Sequence, residues 1–293
     1  MRTFIVSLVF LALPLTSAHA AINVVATLPW IGSLVREIAQ DRVSVTTLVK
    51  PGQNPHIIEA RPSMILAARK ADIIMYNGLD LEIGYLPTIL ESARNPKIVP
   101  GKSGNFDCSR FVAVLEKPVS VDRSMGDVHP LGNPHYHYSP ASILKVAEGM
   151  STMLAELDRP NAASYRANYE DFARRVQARQ QQWRRLPLKG RKFVAYHKLF
   201  EYLAASFGFR IIAYLEQKPG IPPSAGHIEN IIETIKASHP QGILTSGHHG
   251  HKEAASVADR TGVRVIPIPA DVGSERGTDD WISFMDTVLA DLK

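Results

Sequence analysis

Three histidines lie in one short stretch near the middle of this 293-residue chain. The segment GDVHPLGNPHYHYSP (126–140) contains His129, His135 and His137. Its prolines and glycines disfavour a helix or a long strand, so we predict a loop. Neutral imidazole is a common ligand of divalent transition metals. The loop is therefore a candidate contributor to a metal site.

Other potential ligands follow predicted strands, and ligands of open α/β sheets bind beyond the carboxyl ends of the strands. Imidazole and carboxylate groups suit a borderline ion such as Zn²⁺, and three histidines with one carboxylate would complete a four-coordinate sphere. A single histidine at a strand end is more often an ordinary polar residue than a ligand, so spacing alone leaves the assignment open. The four candidates at strand ends or in the loop are His56, His135, His197 and Asp271.

The elements that would position these residues alternate between short β-branched runs and amphipathic segments of helical length. This alternation predicts parallel sheets covered by helices. The predicted strands are 22–29, 43–49, 72–78, 96–100, 192–197, 210–216, 242–247 and 263–269. The predicted helices are 30–40, 61–71, a segment beginning at Pro140 with Ser139 as its cap, 199–208, 225–238, 252–262 and 279–292.

A longer helical pattern runs from about 160 to 186 and would measure about 40 Å at 1.5 Å per residue. We predict that it forms a rigid spine between two α/β halves. The expected fold is α/β, with two lobes that each contain a parallel central sheet flanked by helices, joined by this one long spine helix. The predicted boundaries are an N-terminal lobe over 21–158, a linking helix over 159–187 and a C-terminal lobe over 188–293.

The first twenty residues have the pattern of a cleavable secretory signal peptide. Arg2 precedes the apolar run 4–15, and Ala18 and Ala20 fit the small-residue cleavage rule. The run is too short to span a membrane. No cysteine directly follows Ala20 to receive a lipid, so we expect a periplasmic protein that is not lipidated. Cys108 is the only cysteine, which excludes an intramolecular disulfide.

Composition and motifs exclude several classes of function. The formal net charge of +5 falls to +4 without Arg2, and no block of Lys and Arg with interleaved aromatic residues appears. Nucleic acid is therefore not an expected partner. The chain lacks GxSxG, HExxH and phosphate-cradling motifs, so we do not expect an enzyme.

Several motifs, in order and spacing, resemble the metal-binding solute-binding proteins of bacterial ABC importers, the cluster A-I group that handles zinc and manganese. NPHIIEARPS (54–63) is similar to the family element around its first ligand, GNPHYHYSP (132–140) to that around its second, and YHKLFEYLAASFG (196–208) to that around its third. The resemblance covers nearly the whole chain after the leader. ADIIMYNGLDLE (71–82), YRANYEDF (165–172) and PPSAGHIENIIETIK (222–236) extend it.

The resemblance implies a binding protein that captures a divalent metal, foremost Zn²⁺, and delivers it to an inner-membrane ABC permease. It implies His56, His135, His197 and Asp271 as the ligands, with Asp271 carried by the weakest motif. In the central loop His135 is the expected ligand, because Gly132, Asn133 and Pro134 would deliver its side chain, and His137 is expected to pack or to support a neighbouring ligand. We expect a monomer, and a metallochaperone is a further candidate partner.

Several alternatives stay open. Many zinc-specific relatives carry a long loop rich in His and acidic residues, whereas the corresponding segment 115–130 of this chain is short and contains only His129. Mn²⁺ therefore remains an alternative ion, and His129 is expected to make only a minor contact. Two other functional hypotheses are a zinc hydrolase with Asp271 as its base and an adhesin-like surface protein. The segment SGHHGHKE (246–253) contains His248, His249 and His251. These histidines could load metal, or the segment could be an ordinary surface loop.

Overall fold

Two four-stranded parallel sheets form the frame of the protein, as the strand–helix alternation predicts. The computed structural model describes residues 22–118, 129–218, 220–247 and 250–293. The strands of the first sheet are β1 (Ile22–Ala26), β2 (Val43–Thr47), β3 (Ile73–Tyr76) and β4 (Asn105–Asp107). Those of the second sheet are β5 (Lys192–Ala195), β6 (Arg210–Tyr214), β7 (Ile243–Ser246) and β8 (Val265–Ile268). The first sheet has the order β2-β1-β3-β4, and the second has the order β6-β5-β7-β8.

Helices cover the sheets, and local sequence explains where several of them begin. Each of the first four helices carries proline in its first turn, where the missing N–H of proline costs nothing. The hydroxyl of Ser139 accepts the N–H of Ser142 at 3.2 Å, which confirms it as the cap of the fourth helix. The helices are α1 (Pro29–Ala39), α2 (Pro62–Lys70), α3 (Leu86–Ala93), α4 (Pro140–Leu157), α5 (Ala162–Trp183), α6 (Glu201–Phe207), α7 (Ala225–Ser238), α8 (His251–Thr261) and α9 (Trp281–Asp291). Among the described residues, every helix is too short or too polar to span a bilayer.

Helix α5 is the predicted long helix, although it is shorter than expected. Its 22 residues correspond to about 33 Å. The side-chain amide of Asn168 donates to the Ile38 carbonyl of α1 at 2.8 Å, and the indole N–H of Trp183 donates to Asp286 of α9 at 2.8 Å. The helix therefore contacts elements that lie before and after it in the chain.

One predicted strand is wrong. Residues 96–100 form turns, and the edge strand of the first sheet is β4, further along the chain. The amide of Asn95 donates to the carbonyls of Ala68 and Ala71 at 2.9 and 2.7 Å and accepts the N–H of Lys97 at 3.0 Å. These bonds hold the segment in a turn, and Ile98 is buried from that turn rather than from a strand. Helix α3 was not predicted from the sequence.

The core continues from one sheet to the other, because α9 and the segment before α4 pack together. The indole N–H of Trp281 donates to the His137 carbonyl at 2.8 Å, and the hydroxyl of Tyr138 donates to the Pro269 carbonyl at 2.6 Å. Trp281 and Tyr138 are at most 1% exposed. The central loop is thereby attached to the end of β8 in the second half.

Candidate metal centre

Three histidines from separate segments meet in a cleft lined by both halves of the protein. His56 lies in a short 3₁₀ turn beyond the carboxyl end of β2, His197 follows β5 by two residues, and His135 lies in the central loop. The ring centroids of His56 and His135 are 5.3 Å apart, and those of His56 and His197 are 5.8 Å apart. The rings of His135 and His197 are 5.6 Å apart. These similar separations are compatible with one small cation bound between the rings.

The backbone before His135 is built to present its ring. Gly132 has a φ of +113°, a conformation that other residues rarely adopt. The side-chain oxygen of Asn133 accepts the N–H of His135 at 2.9 Å, and the amide of Asn77 donates to the Pro134 carbonyl at 3.1 Å. The loop around Gly132, Asn133 and Pro134 thus fixes the direction of the His135 side chain, as the motif predicts.

Asp271 lines the same cleft, three residues beyond β8. Its Oδ1 accepts the N–H of Val272 at 2.7 Å. Burial raises the pKa of Asp271 to about 8, although hydrogen bonds from the backbone of Val272 and Trp30 oppose the shift. A cation nearby would favour the ionised carboxylate. The three predicted histidines thus form one cluster, and Asp271 lies in the wall of the same cleft.

A further histidine, His129, also joins the cluster. One nitrogen each from His56, His129 and His135 lie within 4.8 Å of one another. Its ring centroid is 4.9 Å from that of His56 and 6.2 Å from that of His135. His129 was expected from the sequence to make only a minor contact. The motif His-Pro-Leu-Gly could have indicated more, because proline and glycine at these positions favour a turn, and the N–H of Gly132 does donate to the His129 carbonyl at 3.1 Å.

Two imidazoles of this cluster, those of His129 and His135, favour the neutral form that metal binding requires. Burial, with the neighbouring imidazoles, lowers the pKa of His135 well below its usual value. Burial and His197 lower the pKa of His129 to about 4. The Nε2 atoms of His129 and His135 are buried without a hydrogen-bond partner among the described residues. Leaving such a group unsatisfied costs about 1–3 kcal/mol, so both atoms are suited to a ligand bond.

Glu216 orients His197 and was not recognised in the sequence. The N–H of Leu215 bonds to the Ala195 carbonyl, and the N–H of Glu216 to the Tyr196 carbonyl, each at 2.9 Å. This extension of the ladder between β5 and β6 brings Glu216 beside His197, and its carboxylate bonds to His197 Nδ1. A carboxylate at Nδ1 fixes the tautomer that leaves Nε2 free for a metal. An acidic residue just past a strand end was the available signal.

Two other buried polar side chains, those of His137 and Glu82, have hydrogen-bond partners within the protein. His137 is buried, its Nε2 lies 3.2 Å from the Ala270 carbonyl, and its ring stacks on Trp30, which agrees with the packing role expected. Glu82 accepts bonds from Thr27 and the backbone of Asn77 at 2.7 Å.

The second histidine-rich segment is described only in part. Nε2 of His251, at the start of α8, bonds to the Gly247 carbonyl. His248 and His249 lie outside the described residues.

The chain is similar to metal-uptake and metal-binding proteins. The family model described as zinc-uptake complex component A, periplasmic (ZnuA), matches residues 24–293. The iron-binding protein YfeA of Yersinia pestis is 28% identical over 250 residues, which cover 83% of this chain and 75% of the relative. The zinc-binding lipoprotein AdcA of Streptococcus pneumoniae is 22% identical over 282 residues, or 94% of this chain. The chain spans 56% of that longer relative.

Solved structures share the fold. A crystal structure of ZnuA superposes with a TM-score of 0.77 at 23% identity, covering 93% of this chain and 98% of the other. The Mn-bound periplasmic metal-binding protein from candidatus Liberibacter asiaticus superposes with a TM-score of 0.74 at 20% identity and the same coverage. At these identities the likeness supports the architecture of two parallel sheets and leaves the choice of metal to the chemistry of the site.

Proposed function

The chain belongs to the family of periplasmic zinc-uptake components A, and on this premise we propose that it captures Zn²⁺ in the periplasm and delivers it to an ABC permease. It is a binding component of a transport system and not an enzyme. The observation that carries the proposal is the convergence of the imidazoles of His56, His135 and His197, which come from different segments, in one cleft.

The donor set favours zinc among the candidate ions. The relatives of this chain include zinc-binding, iron-binding and manganese-transport proteins. Three imidazole nitrogens suit Zn²⁺, whereas Mn²⁺ prefers a larger share of oxygen ligands. We propose the three histidines as ligands, with Asp271 supplying a carboxylate from the cleft wall. Mn²⁺ is the alternative ion.

The proposed cycle of capture and release depends on the two halves of the protein. We propose an N-terminal lobe over 21–158, a linking helix over 159–187 and a C-terminal lobe over 188–293. The bonds of Tyr138 and Trp281 connect the ligand loop to the second half and favour small hinge movements over wide opening. Docking on the permease would separate ligands contributed by the two halves and release the ion. We further propose a cleaved leader over 1–20, a monomeric protein without a lipid, and a metallochaperone as a possible donor.

The decisive experiment is a metal titration of the chain from residue 21 onward, stripped of metal. Zn²⁺ and Mn²⁺ would be titrated against a competing fluorescent chelator. Loss of a direct ligand in His135→Ala should weaken zinc binding by more than about 100-fold, because even groups that only orient a ligand are worth 10–100-fold. His137→Phe is the matched control, since it keeps a buried aromatic ring in the same loop and should bind zinc within about threefold of the wild type. Full affinity in His135→Ala would refute the assignment.

A further inference from the structure

We propose that His129 is itself a ligand of the transported ion, so that the bound metal is held by imidazoles from His56, His129, His135 and His197. The proposal deepens the proposed function and rests on it. It assigns a fourth nitrogen donor, which takes the tetrahedral position otherwise expected for the carboxylate of Asp271.

The geometry of the cluster supports a shared ion. The nitrogens of His56, His129 and His135 lie within 4.8 Å of one another. In a tetrahedral zinc site with bonds of about 2.0–2.1 Å, ligand nitrogens lie about 3.4 Å apart. The widest pair among these three histidines must therefore approach by at most about 1.4 Å, a movement within the range of a side-chain torsion.

The hydrogen bonding of His129 also has the pattern of a metal ligand. Its ring interacts with the backbone of Leu79, and its Nε2 is buried without a hydrogen-bond partner among the described residues. A ligating histidine commonly donates its other ring N–H to a backbone carbonyl, which fixes the tautomer and directs the free nitrogen at the metal. His129 therefore presents the lone pair of Nε2 in a buried position.

A packing role explains these facts less well. His137, two residues beyond His135, shows what a packing histidine looks like in this loop, since its Nε2 has a carbonyl partner at 3.2 Å and its ring stacks on Trp30. His129 has neither arrangement for its Nε2, and its nearest aromatic neighbours are the proposed ligands themselves. A fourth imidazole would also increase the preference for Zn²⁺ over Mn²⁺.

The test compares wild type, His129→Ala and His239→Asn, each stripped of metal. His239 is an exposed histidine with φ of +49° at the end of α7, a conformation that Asn tolerates, and serves as the control. The zinc dissociation constant would be measured by chelator competition, and the ligand field by the visible d–d absorption of bound Co²⁺. Thermal unfolding without metal would verify that each variant is folded.

We expect His129→Ala to raise the zinc dissociation constant at least tenfold and to change the Co²⁺ spectrum, with His239→Asn matching the wild type. Wild-type affinity in His129→Ala would overturn the proposal. Weaker binding with an unchanged Co²⁺ spectrum would also overturn it, because His129 would then support the site without ligating. If the wild type failed to bind zinc, the proposed function itself would fail, a result distinct from either of these.

Discussion

Removing the carboxylate of Glu216 should weaken metal binding without removing a ligand. Glu216 bonds to Nδ1 of His197, and its side chain is 9% exposed against 21% for that of His197. At this burial, solvent screens the interaction only partly. Its other oxygen accepts the N–H of Gly220 at 2.8 Å, so the carboxylate is held in place from both sides.

The expected magnitude follows from the strength of this contact. A hydrogen bond to a charged group contributes about 1.5–3 kcal/mol, and each 1.4 kcal/mol corresponds to tenfold in affinity. Glu216→Leu should therefore raise the zinc dissociation constant by about 10–100-fold, since the ring of His197 loses its preferred tautomer and orientation. Glu216→Gln keeps a neutral acceptor for Nδ1–H and should lie between Glu216→Leu and the wild type.

The assay is chelator competition with metal-free protein, and the control is Glu233→Gln, which alters an exposed carboxylate on α7. The control should bind like the wild type. Zinc binding by Glu216→Leu within twofold of the wild type would refute the reasoning, because His197 would then be oriented without its carboxylate partner. Equal losses in Glu216→Gln and Glu216→Leu would show that charge, rather than hydrogen-bond geometry, is what matters.

Three further predictions test other parts of the structure. Burial raises the pKa of Glu82 from 4.5 to about 7, so between these pH values the folded protein keeps a proton that the unfolded chain has lost. The contribution of Glu82 to the free energy of unfolding is therefore fully present below about pH 4.5 and falls by about 3 kcal/mol as the pH rises to 7. Urea unfolding at several pH values should show that Glu82→Gln lacks this component, and identical pH profiles would contradict it. Gly132→Ala would place a Cβ 2.3 Å from the side chain of Val114 at a φ of +113°, so we expect a loss of about 1–3 kcal/mol in urea unfolding and weaker zinc binding, and unchanged values would argue against the role of this turn. Asp280→Ala removes the capping box with Ser283 and should cost about 1 kcal/mol, seen as a melting point about 2–4 °C lower, with zinc affinity unchanged; a variant as stable as the wild type would show that the cap is dispensable.

Much of the fold could be predicted from the sequence, because local patterns specify local structure. Seven of the eight predicted strands coincide with observed strands, and proline with Ser139 marked the start of α4. The failure at 96–100 has a tertiary cause, since the side chain of Asn95 reaches the end of α2 and holds that segment in a turn. A short apolar run does not reveal such a partner, which lies more than 20 residues away in the chain.

The sequence by itself determined which residue types were available for metal chemistry and where along the chain they occur. It placed His56 and His197 past strand ends and His135 after a Gly-Asn-Pro turn, because strand length and turn residues are local properties. Only the tertiary structure decided which of these side chains meet. The pairing of β5 with β6 brings Glu216 to His197, and a turn returns His129 to the cluster. Proximity between such distant segments depends on sheet order and packing, which no single segment of the sequence specifies.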